Sequence, residues 1–414
     1  MKTVISLIKF LFIAFIIVGL CAPAFAFEKP KPVPGQYIVV FKADKIPPVT
    51  KAALKAANRE AKAKMATAKR AEVLNKINSH IKKTKINESA ILHKFGDALS
   101  GYSAKLSASE VAMLKKDADV EGVYQDFEMA LGPEPASTTA PSDVTAQSQY
   151  VSCAVQKAGG PYLYGSSKIT WIWILDTGIN LTHPDLNVNT SAAKSFVPGQ
   201  TAEDGYGHGT HCAGIAAAKN NGFGVVGVSA GAKVVPVKVL SNAGSGYFSW
   251  IIAGLNYVAT LDWPGDVVSM SLGGYPMTCN VGTIGSDARA LYLAIANLYY
   301  GGTYVVMAAG NNGQCNGAAS TLPGCINQPK AFTVGALNCD MTRAPYSNYG
   351  PNIVDWVAVG TGVYSTYKNG GYITMSGTSM ATPVVAGIIH ARGGPPVSGG
   401  NVSICGTTYR SAHR

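Results

Sequence analysis

Ile172-Trp173-Ile174-Leu175-Asp176-Thr177-Gly178 is a short apolar run that stops on a carboxylate and two turn residues. A strand covered on both faces reads as continuous hydrophobic sequence, whereas a half-exposed one alternates. The strand expected here spans Ile169 to Leu175, and similar runs recur outward at Val234 to Val239, Val267 to Met270, Tyr304 to Ala308, Phe332 to Val334 and Val354 to Val359. Helical segments separate them: Gly209 to Lys219, Phe248 to Thr260, Asp287 to Tyr300 and Ser379 to Ala391. The alternation predicts an α/β fold, a parallel sheet with helices on both faces, with functional groups gathered at the carboxyl ends of its strands.

Ahead of Lys168 the pattern differs. Tyr37-Ile38-Val39-Val40-Phe41 reads as a strand, Lys51 to Ile81 as an Ala/Lys/Glu-rich helix, and Ala90 to Phe95 and Tyr102 to Leu106 as further strands. Ser107 and Glu110 stand in capping-box spacing at the start of a helix running to Lys116, and Val120 to Phe127 returns as a strand. These segments make a small α+β unit. Gly132 to Pro141, rich in Pro, Ser, Thr and Ala, has the composition of an exposed linker. Met1 to Ala26 begins with lysine, is apolar from Phe10 to Leu20 and closes on Ala24-Phe25-Ala26, the pattern of a cleavable secretory leader. Its apolar part is shorter than the ~20 residues of a spanning helix, which argues against an uncut membrane anchor. The expected organisation is residues 1–26 as leader, 27–131 as the small domain, 132–148 as linker and 149–414 as the large domain.

Hydrophobic residues make up 47% and charged residues 14% of the 414, which fits well-buried globular domains. The net charge of +11 lies mostly before Pro141. There the basic residues Lys51, Lys55, Arg59, Lys62, Lys64, Lys69 and Arg70 are interleaved with alanine rather than stacking aromatics, so a solvated helix face is expected and nucleic-acid binding is not. Beyond the leader the cysteines are Cys153, Cys212, Cys279, Cys315, Cys325, Cys339 and Cys405, an odd set without zinc-ribbon spacing. Up to three disulfides and one free thiol in an oxidising compartment are expected, with the pairing open.

Three segments concentrate reactive residues. Asp176 ends its strand; alone, an aspartate there is more often a turn former. Gly207-His208-Gly209-Thr210-His211-Cys212-Ala213-Gly214 carries little bulk, so a helix can begin close to other backbone, and it lacks the glutamate of a zinc-protease helix. Ser376-Gly377-Thr378-Ser379-Met380-Ala381-Thr382-Pro383 turns into an apolar helix, with Ser379 at its N-terminus and Pro383 expected in its first turn. Serine there is ordinarily only a cap, yet a helix start also presents free N–H groups able to stabilise an oxyanion. Gly222-Phe223-Gly224-Val225-Val226-Gly227 matches a dinucleotide fingerprint, but it follows a helix rather than a strand and is discounted.

Taken jointly and in this order, Asp176-Thr177-Gly178, His208-Gly209-Thr210-His211 and Gly377 to Pro383 resemble the three catalytic signatures of the subtilisin family of serine proteases. Cys212 after the second histidine is similar to the proteinase K branch, where that thiol is unpaired and buried near the catalytic histidine. The resemblance implies a secreted serine endopeptidase working through an acyl-enzyme, with Ser379 as nucleophile, His208 as base and Asp176 as its orienting partner. It implies Asn311, in Ala309-Gly310-Asn311-Asn312-Gly313, as an oxyanion donor. It also implies a substrate-binding strand at Ser271, Leu272, Gly273 and Gly274, with Ala308, Ala309 and Gly310 lining the other wall of an open, apolar pocket. Asp185 and Asn221 resemble the side-chain ligands of a stabilising calcium site, their loops alternatively being ordinary turns; no cofactor is implied for catalysis. Gly35 to Glu128 resembles an inhibitory propeptide of ferredoxin-like α+β type, whose run to about Leu131 would lie in the cleft before self-cleavage. The tail from Gly393 to Gly400 is Gly/Pro-rich, shorter and more irregular than the family's closing helices. Expected partners are protein or peptide substrates and the propeptide, with no membrane once the leader is cut and the enzyme a monomer. The alternatives are a catalytically silent, secreted peptide-binding protein and a membrane-tethered interaction protein.

Overall fold

The computed structural model describes residues 29–44, 58–131, 148–163, 165–280, 283 and 286–414. The leader, the start of the Lys51 to Ile81 helix and most of the expected linker lie outside the described residues.

The small domain comprises β1 (Lys31–Phe41), α1 (Arg59–Lys83), β2 (Ile91–Phe95), β3 (Gly101–Lys105), α2 (Ala108–Leu114) and β4 (Val120–Ala130). The Ser107–Glu110 capping box forms as the sequence predicts. The strand order β2-β3-β1-β4, all antiparallel, is the ferredoxin-like arrangement. β1 is apolar on both sides for a physical reason. Val39 and Phe41 pack with Val73, Ile77, Ile81 and Leu114 under the domain's own helices. Ile38 and Val40 share a core with Phe248, Ile251, Leu255, Leu291 and Ile295 of the large domain.

The large domain contains α3 (Cys153–Lys157), β5 (Ile172–Asp176), β6 (Asn187–Val188), β7 (Lys194–Ser195), α4 (His208–Ala217), β8 (Lys233–Lys238), β9 (Ser245–Tyr247) and α5 (Phe248–Leu261). It continues with β10 (Val267–Met270), α6 (Arg289–Gly301), β11 (Tyr304–Ala308), β12 (Ala331–Leu337), β13 (Val354–Val359), β14 (Val363–Thr366), β15 (Tyr372–Met375) and α7 (Thr378–Arg392). The central order is β13-β12-β11-β10-β5-β8-β6, parallel throughout, and every residue of β5, β10 and β11 is buried. α7 is buried from Thr378 to Ala391. Asp176 thereby meets His208, and the Cys212 thiol beside that histidine reaches the Ser379 carbonyl, at one end of the sheet.

The tail departs from expectation. It forms an antiparallel hairpin, β16 (Val397–Ile404) and β17 (Thr407–His413), and β17 adds to the sheet edge beside β13. Arg410 lies over the Trp356 ring, 4.6 Å from its centroid, and Arg414 donates from its backbone N–H to Ala158 and from its guanidinium to Gly159, each at 2.9 Å. The chain end is thus tied to the turn after α3. The Gly/Pro-rich composition of Gly393 to Gly400 has poor strand propensity, which hid the hairpin.

Six cysteines pair as Cys153–Cys339, Cys279–Cys325 and Cys315–Cys405, spanning 186, 46 and 90 residues. Loops of that size correspond to about 4–5 kcal/mol each in the chain-entropy view. Cys212 is free and buried.

Candidate active site

β5 delivers a fully buried Asp176, whose Oδ1 lies 2.7 Å from His208 Nδ1 and accepts the Thr177 N–H at 2.7 Å. His208 is the first residue of α4, one position earlier than the sequence predicts. Small residues allow this approach. A Cβ on Gly209 would stand 2.1 Å from the Gly178 carbonyl oxygen, and Gly207 has φ +109° with the Tyr367 ring 2.1 Å from where a Cβ would lie. The orphan N–H groups of the helix start are met by Asp204, which accepts from Gly207 at 2.7 Å and Thr210 at 2.9 Å, and by Thr177 Oγ1, which accepts from Gly209 at 2.9 Å. Lys238, also fully buried, donates to the Thr177 carbonyl. Burial pushes this ammonium down to about 8, against the pull of Asp204, Asp176 and Glu203. Neither Asp204 nor Lys238 was singled out from sequence; the aspartate four residues before His208 was the available signal.

Gly377 caps α7, so Ser379 is its second residue rather than its cap. Pro383 lies in the second turn, not the first as expected, because the helix begins at Thr378. Its missing N–H leaves the Ser379 carbonyl without the usual i+4 donor. That carbonyl accepts instead from Ser271 Oγ at 2.7 Å and from the Cys212 thiol at 3.5 Å. Ser379 Oγ in turn donates to the Ser271 carbonyl at 3.1 Å, so the two serines are latched reciprocally. Cys212 Sγ is also 4.0 Å from His208 Nδ1, the position the resemblance implies.

Asn311 follows the end of β11. Its Oδ1 accepts from the Thr378 backbone at 2.8 Å and the Thr378 hydroxyl at 2.7 Å, which fixes the orientation of the amide. Gly310 has φ +99°, and a Cβ there would meet Asn348 Nδ2 at 2.5 Å, so the turn requires glycine.

Burial opposes charging of the His208 imidazole, but the adjacent Asp176 carboxylate prevails and holds its pKa well above the ordinary 6.5. Burial pushes the Cys212 thiol up, so it stays protonated and uncharged at neutral pH. His211 is driven down to about 3 by burial and by the His208 charge. As a neutral ring it spans the Val363 and Ile373 carbonyls at 3.1 Å each, fastening α4 to the β14–β15 hairpin.

One wall beside this cluster was not foreseen. β9 pairs antiparallel with the end of β4, Glu128 opposite Tyr247 and Ala130 opposite Ser245, and the Leu131 N–H donates to Gly244 at 2.9 Å. Gly244-Ser245-Gly246 has poor strand propensity, so the pairing was not visible locally.

Residues 167–391, just over half the chain, match the model of the subtilase family. The chain belongs to that family. Residues 36–132 match the model described as peptidase inhibitor I9. Among curated relatives, the alkaline serine protease ver112 of Corniculantispora psalliotae is 36% identical over 71% of this chain and 72% of its own. Subtilisin amylosacchariticus of Bacillus subtilis subsp. amylosacchariticus is 38% identical over 70% and 69%. The cuticle-degrading protease of Metarhizium anisopliae is 37% identical over 70% of each. This subtilase is a serine endopeptidase made with an inhibitory propeptide and acting on protein substrates, and its disulfides are of the kind that persist in an oxidising compartment. Among the described residues, no helix is long and apolar enough to cross a membrane.

The subtilase also carries an oxygen-lined cage away from its reactive cluster. Gln149 Nε2 stands 2.6 Å from the Lys219 carbonyl, 3.1 Å from that of Val225, and 3.3 Å from both the Phe223 carbonyl and Asn221 Oδ1. Those are more acceptors than two amide protons can serve. Asp185 adjoins the cage, accepting from Asn221 at 3.0 Å and from the Val225 N–H at 2.9 Å. Three carbonyls and the Asn221 amide oxygen converging on the Gln149 side chain, with a carboxylate beside them, form a donor set that fits a hard cation such as calcium. Sequence reading identified Asp185 and Asn221 but missed Gln149, whose only signal was its place at the start of the large domain.

Proposed function

We propose that Ser379 is the nucleophile, His208 the general base and Asp176 the group that holds the imidazole in its working tautomer. The observation that carries this is the buried 2.7 Å Asp176–His208 pair, set beside a serine whose carbonyl and hydroxyl are both anchored on Ser271. In the reaction Ser379 Oγ leaves the Ser271 carbonyl, gives its proton to His208 Nε2 and attacks the scissile carbonyl carbon. Asn311 and the Ser379 N–H receive the oxyanion. His208 then protonates the leaving amine, and water enters by the same proton path in reverse to release the acyl group.

The substrate adds as an extended strand between β9 and Ser271 to Gly274, the place that Glu128 to Leu131 takes beside β9 in the precursor. Leu272, Gly273, Gly274, Ala308, Ala309 and Gly310 form a buried, largely apolar lining, which favours large apolar side chains before the cut. The working division remains residues 1–26 as leader, 27–131 as propeptide, 132–148 as maturation segment and 149–414 as peptidase, with secretion following from the leader. All reactive groups come from one chain, so a monomer suffices. Incubation with casein and a serine-directed phosphonate tests the reading: digestion with labelling at Ser379 supports it, and binding without either outcome would indicate the catalytically silent protein instead.

Two smaller tests arise here. Asn311→Leu is expected to lower kcat by about 10²–10³ with little change in KM, a magnitude known from subtilisin itself rather than derived from this geometry. Steady-state kinetics on a peptide amide measures it. Gln149, Asp185, Asn221 and the carbonyls of Lys219, Phe223 and Val225 would hold calcium, which supplies structural cross-bonding rather than chemistry. Calorimetry should show chelator lowering the unfolding midpoint, a loss of stability of about 2.7 kcal/mol relative to calcium at a hundredfold excess over Kd, with Asp185→Asn abolishing the difference. An unchanged midpoint in wild type would exclude the site.

A further inference from the structure

The propeptide and the peptidase meet at a second place, at the opposite end of the sheet from Asp176. Asp262 and Asp266 lie between the end of α5 and the start of β10, and β10 runs parallel to β5 with Val267 opposite Ile172. Both aspartates are fully buried in the precursor. Arg59, the first residue of α1, forks onto Asp266 at 2.7 and 2.8 Å. It also donates to the carbonyls of Leu261 at 2.6 Å and Ile169 at 3.1 Å, and it stacks 3.7 Å from the centroid of Trp171. Lys62, one turn on and 2% exposed, pairs with the Asp262 carboxylate and donates to the Asp262 carbonyl at 2.9 Å.

Cations in the first turn of a helix oppose its dipole, so Arg59 and Lys62 are poorly placed for the stability of α1 alone. They are well placed for α5, whose last carbonyls lack intrahelical donors. The acidic side is built without them. Asp266 is held by the Trp171 N–H at 2.9 Å, the Trp173 indole at 2.8 Å and the Trp263 N–H at 3.1 Å, and Thr303 Oγ1 donates to Asp262. A preformed pair of carboxylates beside an indole face, at a helix C-terminus, is a receptor for an Arg-x-x-Lys helix start.

We propose that this acidic pit is an exosite that keeps the cleaved propeptide bound, independently of the pairing in the cleft. The proposal rests on the reading of residues 27–131 as the inhibitor. Cutting the chain after the cleft segment leaves Arg59 and Lys62 in place, so self-cleavage and release of activity are separate events. Losing either cation strands a buried carboxylate, which makes this contact costlier to break than a surface ion pair.

The test uses the full chain, allowed to process itself, with appearance of activity on a peptide amide followed against co-elution of the propeptide. Arg59→Ala/Lys62→Met should shorten the latent period at least tenfold, and Lys64→Ala, on the exposed face of the same helix, should leave it unchanged. Asp262→Asn acts from the peptidase side with the propeptide sequence intact. It should shorten latency in the same direction, with kcat/KM of the freed enzyme unaltered, and combining it with Lys62→Met should be less than additive. Latency within twofold of wild type in both Arg59→Ala/Lys62→Met and Asp262→Asn would overturn the exosite. So would faster release confined to the propeptide variants and matched by Val73→Ala, which loosens only the propeptide core. A wild-type chain active from the moment of cleavage would instead refute the inhibitor reading itself.

Discussion

Ser379→Ala is expected to lower kcat for peptide amides by about a million-fold, the size of loss known for subtilisin's own nucleophile and taken from there. The physical basis is that no neighbouring group replaces the missing oxygen. Cys212 Sγ approaches the Ser379 carbonyl at 3.5 Å, but burial keeps the thiol protonated and it points at the back of the helix start. The residual rate should come from the Asn311 amide and the substrate strand, which the change leaves in place. The variant should also stay a single uncut polypeptide, because self-cleavage uses the same hydroxyl. Gel electrophoresis of the purified variant reads this directly, and a processed product would move the nucleophile elsewhere.

Asp176→Asn should cost about ten-thousand-fold in kcat, by analogy with the corresponding change in other Ser-His-Asp proteases. The amide can present its N–H to His208 Nδ1, which favours the tautomer with the proton on the wrong nitrogen. Its pH profile distinguishes this from simple damage. In the wild type the carboxylate holds the imidazole well above 6.5, and the base must be neutral to work, so activity climbs with pH and its acid limb lies above 6.5. Without the carboxylate, the largest opposition to burial of the ring is gone and the limb should move to lower pH. The linkage runs the other way for stability. The ion pair contributes fully below the unfolded value near 6.5 and is lost as pH rises through the raised folded value, so the active form is the less tightly pinned one. A limb that stays where it was in the variant would show that Asp176 does not set the imidazole charge.

Much of this architecture was legible because buried parallel strands have a local signature. Ile172 to Leu175 and Tyr304 to Ala308 are apolar without interruption, and each ends on a residue of the reactive cluster or its rim. The chemistry proposed for Asp176, His208 and Ser379 came from the resemblance of their three segments to the family's signatures, not from spacing alone. What stayed hidden depends on distant partners. β9 is glycine-rich and becomes a strand by receiving β4, the tail hairpin docks on the edge of β13, and Gln149 matters only because four separated oxygens converge on it. Pro383 was recognised as tolerable but not as useful. Its effect, releasing the Ser379 carbonyl to Ser271, appears only when two remote segments are laid together.

An endopeptidase is surrounded by copies of itself, and digestion starts wherever a chain end can be drawn out into another molecule's groove. Here Arg414 is stitched to Ala158 and Gly159, Cys405 is cross-linked to Cys315, and ahead of α3 Tyr150 exchanges backbone hydrogen bonds with Gly224 and Val226. These ties hold Tyr150 and Arg414 against the body of the domain. Clipping off β16 and β17 is therefore expected to shorten the working lifetime of this enzyme without altering a single group proposed to touch substrate.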